Sequence, residues 1–376
     1  MKVLTVFGTR PEAIKLAPLV LKMREFSQIQ PSVCVTGQHR QMLDQVLDVF
    51  GITPDHDLNI MKDGQDLSYV TQAVLAGVTE VIRAEKPDWI VVQGDTTTAF
   101  AAGLAGFYEH VPVAHVEAGL RTNNILSPWP EEGNRRLLSA ISRIHFAPTL
   151  DAAMNLRSEN ILQESIVVTG NTVIDALKWT LGRPEARGLL GQIFSQYAPT
   201  LKTSSTRQIL VTLHRRENLG EKLRNICLAI SEIARRDDVE IIFPVHLNPK
   251  VQQTVRELLS GRKNIHLLPP LDYLPFVALL GNSYLVITDS GGIQEEAPGL
   301  GKPVLVARDT TERPEAIDAG TAVLVGAESR NIADVCFSLL DNEEKYREMA
   351  TAVNPFGDGN AALKIIENLI RLHPIE

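Results

Sequence analysis

The chain has 376 residues, of which 44% are hydrophobic and 22% charged, and its formal net charge is −8. This length favours two α/β domains over one small domain, and the acidic balance argues against a nucleic-acid partner. The three cysteines show neither a disulfide framework nor metal-ligand spacing. No apolar run approaches the roughly 20 residues that span a bilayer. The start, MKVLTVFGTRPE, is typical of a strand rather than a signal peptide. We therefore expect a cytoplasmic protein without a membrane partner.

Short apolar runs alternate with amphipathic, helix-like stretches in the first half of the chain. The predicted strands are Val3–Phe7, Pro31–Thr36, Trp89–Gln93, Val111–His115 and Ile144–Ala147. Nearly continuous apolar strands separated by helices indicate a parallel sheet that is covered on both faces. We expect this first Rossmann-like domain to occupy residues 1–170.

The same alternation returns in the second half, after a helix from Val173 and a polar stretch, punctuated by Pro and Gly, that lasts to about residue 206. The predicted strands are Gln208–Thr212, Glu240–Val245, Ile265–Leu268, Tyr284–Thr288, Pro303–Ala307 and Thr321–Val325. They predict a second Rossmann-like domain over residues 171–358. A last segment, 359–376, carries a helix over Ala361–Leu372 that we expect to pack back on the first domain. Two such doubly wound domains bind ligands at the carboxyl ends of their strands, in the cleft between them.

The segment 288–313, TDSGGIQEEAPGLGKPVLVARDTTER, has the most informative pattern of the chain. Between a predicted strand and a predicted helix it turns through Ser290, Gly291 and Gly292. Backbone amides at such a turn, together with the positive end of the helix, favour an anion. Glu296 lies about one turn further on, where it suits the two hydroxyls of a ribose, and Arg313 adds a charge for a phosphate. The pattern indicates a nucleotide-diphosphate site, although glycine also serves loop geometry alone.

Charged residues also follow the strands of the first predicted domain. Arg10 and Lys15 suit either an anion at a helix start or an ordinary helix surface. Asp95 is either a helix N-cap or a carboxylate in the cleft. Glu117 follows a buried strand, where an acid is costly unless it serves a ligand or another residue. Glu131, behind a proline, suits a helix N-terminus as well as a site.

Histidines occupy corresponding places in the second predicted domain. His214 directly follows a strand and precedes Arg215 and Arg216, which suits a diphosphate oxygen or proton transfer. His246 ends the next strand, and the ring of Phe276 belongs either to the reading of a planar base or to the core. So many carboxylates, histidines and arginines at strand ends are more than a purely structural protein needs.

Ten segments, in order along the chain, resemble one enzyme family, the non-hydrolysing UDP-N-acetylglucosamine 2-epimerases of bacteria. They are FGTRPEAIK (7–15), GQHRQMLDQVL (37–47), QGDTTTAFA (93–101), HVEAGLRT (115–122), SPWPEEGNRR (127–136), GNTVIDAL (170–177), HRREN (214–218), PVHLNP (244–249), DSGGIQEEAPGLGKPVLV (289–306) and RDTTERPEA (308–316). The resemblance covers essentially the whole chain. It implies two Rossmann-like domains facing a cleft, as in glycosyltransferases of the B type. It also implies a homodimer that interconverts UDP-N-acetylglucosamine and UDP-N-acetylmannosamine without a metal or redox cofactor, for cell-surface polysaccharide synthesis.

The family pattern also implies roles for individual residues. The catalytic positions match Asp95, Glu117, Glu131 and His214. The substrate-binding positions match Arg10, Lys15, Asp95, Glu117, His214, Leu271, Phe276, Ser290, Gly291, Gly292, Glu296 and Arg313, with uracil at Leu271 and Phe276 and ribose at Glu296. Some members bind a second, activating UDP-N-acetylglucosamine, whose ligands match Gln38, Gln41, Arg215, Arg216 and His246. Where a regulated member has an arginine, this chain has Gly64.

The implied reaction explains why the site needs several acids. The hydrogen on carbon 2 of the sugar is not next to a ring carbonyl, so its direct removal would leave a poor carbanion. If UDP leaves carbon 1 as that hydrogen is removed, the product is an unsaturated 2-acetamidoglucal, to which UDP then adds again. This route needs a base, an acid on the opposite face and stabilisation of the departing diphosphate.

Three alternatives share the nucleotide site. A glycosyltransferase of the same fold needs an acceptor pocket and fewer acids, and a hydrolysing epimerase releases free N-acetylmannosamine. A nucleotide-sugar sensor has no use for Asp95, Glu117 and Glu131 together.

Overall fold

The computed structural model describes residues 1–201 and 206–373, which divide into two compact units. Unit 1 consists of Met1–Ala176 and of the chain from Phe356 onward, and unit 2 consists of Leu177–Pro355. The domain boundaries expected from the sequence, at residues 170 and 358, stay a prediction.

Unit 1 is built on a parallel sheet of seven strands. The strands are β1 (Lys2–Phe7), β2 (Gln30–Val35), β3 (His56–Asp57), β4 (Trp89–Gln93), β5 (Val113–Val116), β6 (Ile144–Ala147) and β7 (Ile166–Val168). Their order is β3-β2-β1-β4-β5-β6-β7. The strand order therefore reverses between β1 and β4, and doubly wound sheets bind ligands beside such a point.

The helices of unit 1 connect these strands, and the last of them comes from the end of the chain. They are α1 (Arg10–Met23), α2 (Arg40–Phe50), α3 (Leu67–Glu85), α4 (Thr97–Tyr108), α5 (Glu131–Ile141), α6 (Leu150–Ser158), α7 (Thr172–Gly182), which belongs to unit 2 from Leu177 onward, and α16 (Ala361–Leu372). Helix α16 contacts α1 and buries one apolar face that includes Ile365, Ile366 and Leu369. Its first turn is capped by the Asp175 carboxylate, which accepts from the backbone amides of Ala361 and Ala362 at 3.2 and 2.9 Å.

Unit 2 repeats this architecture with a parallel sheet of six strands. The strands are β8 (Arg207–Thr212), β9 (Val239–Pro244), β10 (Ile265–Leu268), β11 (Leu285–Thr288), β12 (Val304–Val306) and β13 (Ala322–Leu324), in the order β10-β9-β8-β11-β12-β13. Its helices are α8 (Pro184–Tyr197), α9 (Glu221–Ile233), α10 (Pro249–Leu259), α11 (Tyr273–Asn282), α12 (Gly291–Glu296), α13 (Pro314–Asp318), α14 (Ser329–Asp341) and α15 (Glu343–Thr351). The strand order reverses here between β8 and β11.

The structure confirms the α/β fold class and the two parallel, Rossmann-like sheets. It differs from the sequence prediction in three elements. The two short strands β3 and β7 were not predicted, because two or three residues carry too little periodicity. Much of the predicted polar stretch before residue 206 is helix α8, which begins at Pro184 and buries Ala186 and Ile193. Proline is favoured in the first helical turn, so here it marks a helix start and not a loop.

Buried aliphatic residues form a separate core in each unit. In unit 1, Val74 and Val78 of α3 pack with Ile90 and Val92 of β4, and all four are fully buried. In unit 2, Ile226 and Ile230 of α9 belong to the corresponding cluster. Over the described part of the chain, none of the helices has the length and apolarity that a bilayer crossing requires.

Candidate functional site

The Glu117 carboxylate is the centre of a buried polar cluster at the carboxyl end of β5. Lys15 donates to both of its oxygens at 2.6 Å, and the amides of Gln93 and Asn171 also donate to it, the latter at 2.9 Å. Glu117 is only 7% exposed. Three donors around one acid stabilise its ionised form. A buried carboxylate is thus presented in a single, well-defined orientation.

The backbone of Glu117 is unusual as well. Its φ is +62°, in the left-handed region that side-chain-bearing residues rarely adopt. Such a conformation costs about 1–3 kcal/mol and persists where the surroundings impose it, often at functional sites. The acid is therefore oriented at an energetic cost, which fits a catalytic group better than an ordinary surface acid.

Asp95 occupies the loop between β4 and α4. Thr96, and not Asp95, is the N-cap of α4, since its hydroxyl oxygen accepts from the Ala99 amide at 2.9 Å. The Asp95 carboxylate instead accepts from Arg135 Nε at 2.8 Å, and its side chain is 28% exposed. The structure thus excludes the N-cap interpretation of Asp95 and leaves its carboxylate partly open.

The adjacent acids Glu131 and Glu132, at the start of α5, have different surroundings. Glu132 is fully buried and accepts from the Thr122 amide and from the guanidinium groups of Arg135 and Arg136, at 3.0–3.1 Å. Glu131 has one oxygen, Oε2, that is buried without a hydrogen-bond partner among the described residues. Glu132 therefore has a structural role, whereas Glu131 retains an acceptor for a ligand or a proton.

The loop after β1 is fastened to the loop after β4 by Glu12. Its carboxylate accepts from the Gly8 and Thr9 amides at 3.1 and 2.9 Å and, on the other oxygen, from the Thr96 hydroxyl at 2.6 Å. Burial raises the pKa of Glu12, and the hydrogen bonds from Thr96 and Thr9 oppose that rise only in part. This arrangement sets the start of α1, where Arg10 is the first residue.

His115, in β5, is a core residue. It is fully buried, and its Nε2 lies 2.7 Å from the Gly94 carbonyl oxygen. Burial lowers the pKa of His115 to about 3, so the ring is neutral at physiological pH.

The residues of unit 1 that match activator ligands lie around the start of α2. Gln38 accepts from the Thr98 hydroxyl through its side-chain oxygen at 2.9 Å, and its backbone carbonyl accepts from Gln65. Gln41 is exposed in the first turn of α2. Gly64 is exposed in a turn.

Unit 2 has a pocket of about 240 Å³ at the carboxyl ends of its strands. It is lined by Thr212, Leu213, His214, Pro244, His246, Pro270, Leu271, Phe276, Ser290 and Ile293. The structure thus brings together five residues for which the sequence predicted ligand contacts. A mostly apolar pocket with a few polar groups at its edge suits a planar base.

Asp289 organises one wall of this pocket. It is fully buried, and its carboxylate accepts from the His214 and Arg215 amides at 3.0 Å each and from Asn218 Nδ2 at 3.0 Å. His214 Nδ1 lies 3.2 Å from the same carboxylate. Burial is the largest influence and raises the pKa of Asp289, but the bonds from His214 and from the two amides outweigh it, so the pKa is lowered. The ionised carboxylate favours a proton on Nδ1 of His214 and leaves Nε2 for a ligand.

The glycine turn precedes the short helix α12. Ser290 is its N-cap residue, Gly291 and Gly292 are its first two residues, and Glu296 is its last. The space above Gly291 is open except for Arg215, whose Nη2 would lie 3.5 Å from an added Cβ, and Glu312. A β-carbon at this position would occupy space beside the amides that the sequence assigns to a diphosphate.

Two arginines at these loops form ion pairs inside unit 2. Arg313 donates to the Glu295 carboxylate and, at 3.0 Å, to the Glu312 carbonyl oxygen. Arg308, which is 5% exposed, pairs with Glu217 at 2.6 Å. Of the two arginines that follow His214, Arg215 is half-buried and approaches Glu312 at 3.5 Å, while Arg216 is exposed.

Three residues of these networks were not predicted from the sequence as site residues: Gln93, Asn171 and Asp289. Asp289 and Gln93 each end a strand or directly follow one, so their position was a usable signal. Asn171 lies in the motif GNTVIDAL, but the motif gave no sign of its contact to Glu117, which spans 54 residues.

The two doubly wound sheets, with a base-sized pocket and charged loops at their strand ends, define a nucleotide-binding α/β protein of the glycosyltransferase-B type. Residues 21–370 match the family model described as UDP-N-acetylglucosamine 2-epimerase. The chain is 53% identical to the UDP-N-acetylglucosamine 2-epimerase of Yersinia pestis, over 98% of both chains.

Solved structures agree with that match. A crystal structure of the Neisseria meningitidis enzyme bound to UDP-GlcNAc has a TM-score of 0.85 and 52% identity, over 99% of this chain and 100% of that chain. The Methanocaldococcus jannaschii enzyme in complex with UDP-GlcNAc and UDP has a TM-score of 0.73 and 34% identity, over 99% and 100%. The chain belongs to the UDP-N-acetylglucosamine 2-epimerase family, as its sequence motifs predicted.

Proposed function

We propose that this chain catalyses the reversible epimerisation of UDP-N-acetylglucosamine to UDP-N-acetylmannosamine without net hydrolysis. The observation that carries the proposal is the match, over nearly the whole chain and at 52–53% identity, to enzymes that bear this name. Both the polar cluster of unit 1 and the pocket of unit 2 lie within the matched residues.

The pocket of unit 2 is proposed to bind UDP. Leu271 and Phe276 line it on the side assigned to uracil. Glu296, one turn into α12, is assigned to the ribose hydroxyls, and the amides at Ser290, Gly291 and Gly292 to the diphosphate. These roles rest on the pocket geometry and on the family resemblance.

The carboxylates of unit 1 are proposed to carry out the proton transfers. The carbon 2–hydrogen bond breaks, its electrons form the double bond between carbons 1 and 2, and UDP leaves carbon 1 with the electron pair of the broken carbon–oxygen bond. UDP then adds back to carbon 1 as a proton reaches carbon 2 from the other face. Asp95, Glu117 and Glu131 are the proposed acids and bases. The Asp95 side chain is partly exposed, Glu117 is held in place by hydrogen bonds, and Glu131 has an oxygen without a partner among the described residues.

Side-chain hydrogen-bond donors are proposed to stabilise the departing diphosphate. Arg10 at the start of α1 and Lys15 one turn later belong to unit 1, and His214 and Arg313 belong to unit 2. Charge that develops on UDP in the transition state is stabilised by such fixed donors, and one donor is commonly worth a factor of about 10²–10³ in rate.

Three further elements complete the proposal. Gln38, Gln41, Arg215, Arg216 and His246 are assigned to an activating UDP-N-acetylglucosamine. We also assign a homodimeric state and a cytoplasmic location, and a product that supplies cell-surface polysaccharide synthesis.

The test is a proton NMR time course with UDP-N-acetylglucosamine in deuterated water, without added metal or nicotinamide. We expect a mixture with UDP-N-acetylmannosamine and deuterium at carbon 2. Epimerisation without deuterium would refute the proton-transfer route. Free N-acetylmannosamine as the main product would indicate the hydrolysing class, and no reaction of the nucleotide sugar alone would favour a transferase.

A further inference from the structure

The chain crosses between the two units twice, and near these crossings two of its stretches touch inside unit 1. It leaves unit 1 after Ala176 and returns at Phe356. The backbone amide of Asn171 donates to the Phe356 carbonyl oxygen at 2.6 Å. The outgoing and returning stretches are therefore joined to each other a few residues from where the chain changes units.

Two glycines make this contact possible. Gly170 has φ +88° and Gly357 has φ +114°, both in the region that favours glycine. A Cβ on Gly170 would lie 2.9 Å from the Gly357 Cα, and one on Gly357 would lie 3.0 Å from the Gly170 Cα. The two backbones thus approach as closely as glycine allows, and the position of Asn171 is tied to that of the returning stretch.

The side chain of Asn171 points from this contact to the buried polar cluster around Glu117. It is 2% exposed, and its Nδ2 donates to Glu117 Oε1 at 2.9 Å. Its Oδ1 accepts from the Val173 amide at 3.1 Å. Because the oxygen faces a backbone donor and the nitrogen faces a carboxylate, the two ends of the amide cannot be exchanged without losing both bonds.

Lys15 and Gln93, which also donate to Glu117, lie on earlier elements of unit 1. Lys15 is in α1, and Gln93 ends β4. Asn171 is the partner of Glu117 that lies on the stretch joining the units.

We infer that Asn171 is a positioning residue, which orients Glu117 for proton transfer and couples that orientation to the two stretches where the chain crosses between units. The inference rests on the proposed function, since Glu117 must be one of the reacting groups. It assigns no contact between Asn171 and the substrate.

The test is a double-mutant cycle in the full-length protein that combines Asn171→Ala with Glu117→Gln. Asn171→Ala should lower kcat about ten- to thirtyfold, the effect of losing one hydrogen bond to a charged group. In the Glu117→Gln background the same change should cost less than about threefold, because the carboxylate that it positions is gone. UDP affinity, measured by titration calorimetry, should stay within about threefold of wild type.

Asn155→Ala is the matched control. Asn155 is another asparagine of unit 1 and is part-buried, but its Nδ2 donates to the Gly119 carbonyl oxygen at 3.0 Å. Its effect on kcat should be the same, to within about threefold, in both backgrounds. If Asn171→Ala does not fold, Asn171→Leu takes its place, because it is close to asparagine in size and removes the donor to Glu117 without placing a second charge beside the carboxylate.

Two results would overturn the inference. One is an equal loss of kcat from the Asn171 change with and without Glu117, and the other is a loss that falls mainly on UDP affinity. Failure of the proposed function would look different, since the wild-type protein itself would then form no UDP-N-acetylmannosamine.

Discussion

Replacing Asp289 by asparagine tests whether one buried carboxylate organises the nucleotide pocket of unit 2. Oδ1 accepts from the His214 amide at 3.0 Å and lies near the ring Nδ1 of His214 at 3.2 Å. Oδ2 accepts from the Arg215 amide and from Asn218 Nδ2 at 3.0 Å each. Asparagine has the same shape, but its NH₂ group would face two donors whichever way it is placed.

The magnitude follows from that count. Two hydrogen bonds to a charged group are lost, each worth about 1.5–3 kcal/mol, and part of this is offset because a neutral amide is cheaper to bury. We expect Asp289→Asn to lower the free energy of unfolding by about 3 kcal/mol at pH 7. Because the negative charge that faces Nδ1 of His214 is lost in either placement of the amide, kcat should also fall about tenfold.

The pH dependence of the effect has a defined sign. The folded-state pKa of Asp289 is lowered, so its contribution is present above the unfolded-state pKa of about 4 and is lost as pH falls through the lower folded-state value. The difference in stability between wild type and Asp289→Asn should therefore be constant from pH 6 to 8 and shrink below about pH 4.

Urea denaturation of the full chain, followed by circular dichroism at several pH values, measures this difference. Asp309→Asn is the control, since its carboxylate is 63% exposed and pairs with Lys222 at the surface, where such pairs contribute about 0–1 kcal/mol. A loss below about 1 kcal/mol for Asp289→Asn, or one equal to that of the control, would refute the argument.

Two further predictions concern catalysis and regulation. Asp95→Asn, Glu117→Gln and Glu131→Gln should each lower turnover by roughly 10²-fold or more and leave UDP affinity within a few-fold, whereas Glu296→Gln should mainly weaken UDP binding. Steady-state kinetics measures the turnover and titration calorimetry the UDP affinity. Near-normal turnover of Glu117→Gln would contradict its assignment as a catalytic residue. We expect UDP-N-acetylglucosamine to accelerate the reverse reaction of the wild type, and Gly64→Arg to need some ten- to hundredfold less of it. Gly64 has φ +69° and open space around it, so any side chain there costs about 1–2 kcal/mol of backbone strain. Gly64→Ala is the control, because it introduces this strain without a charge. Equal activation of Gly64→Arg and Gly64→Ala would show that residue 64 does not reach the activator.

The local features of this protein could be predicted from its sequence. The predicted bounds of β4, β6, β10 and α16 match the structure, because apolar runs and helical periodicity are local properties. The order of charged loops at strand ends, and the motifs that indicated the family, were also visible in the sequence. Together these determine the fold class and the nucleotide-sugar family.

The individual partners within the site were decided by the tertiary structure alone. Lys15 and Glu117 are 102 residues apart, and Asn171 and Glu117 are 54 apart. Whether Asp95 or Thr96 caps α4, and which of two adjacent glutamates is buried, depends on the neighbouring loops that strand order brings close. Side-chain pairing across a parallel sheet is set by crossover connections and packing, which composition and periodicity do not encode.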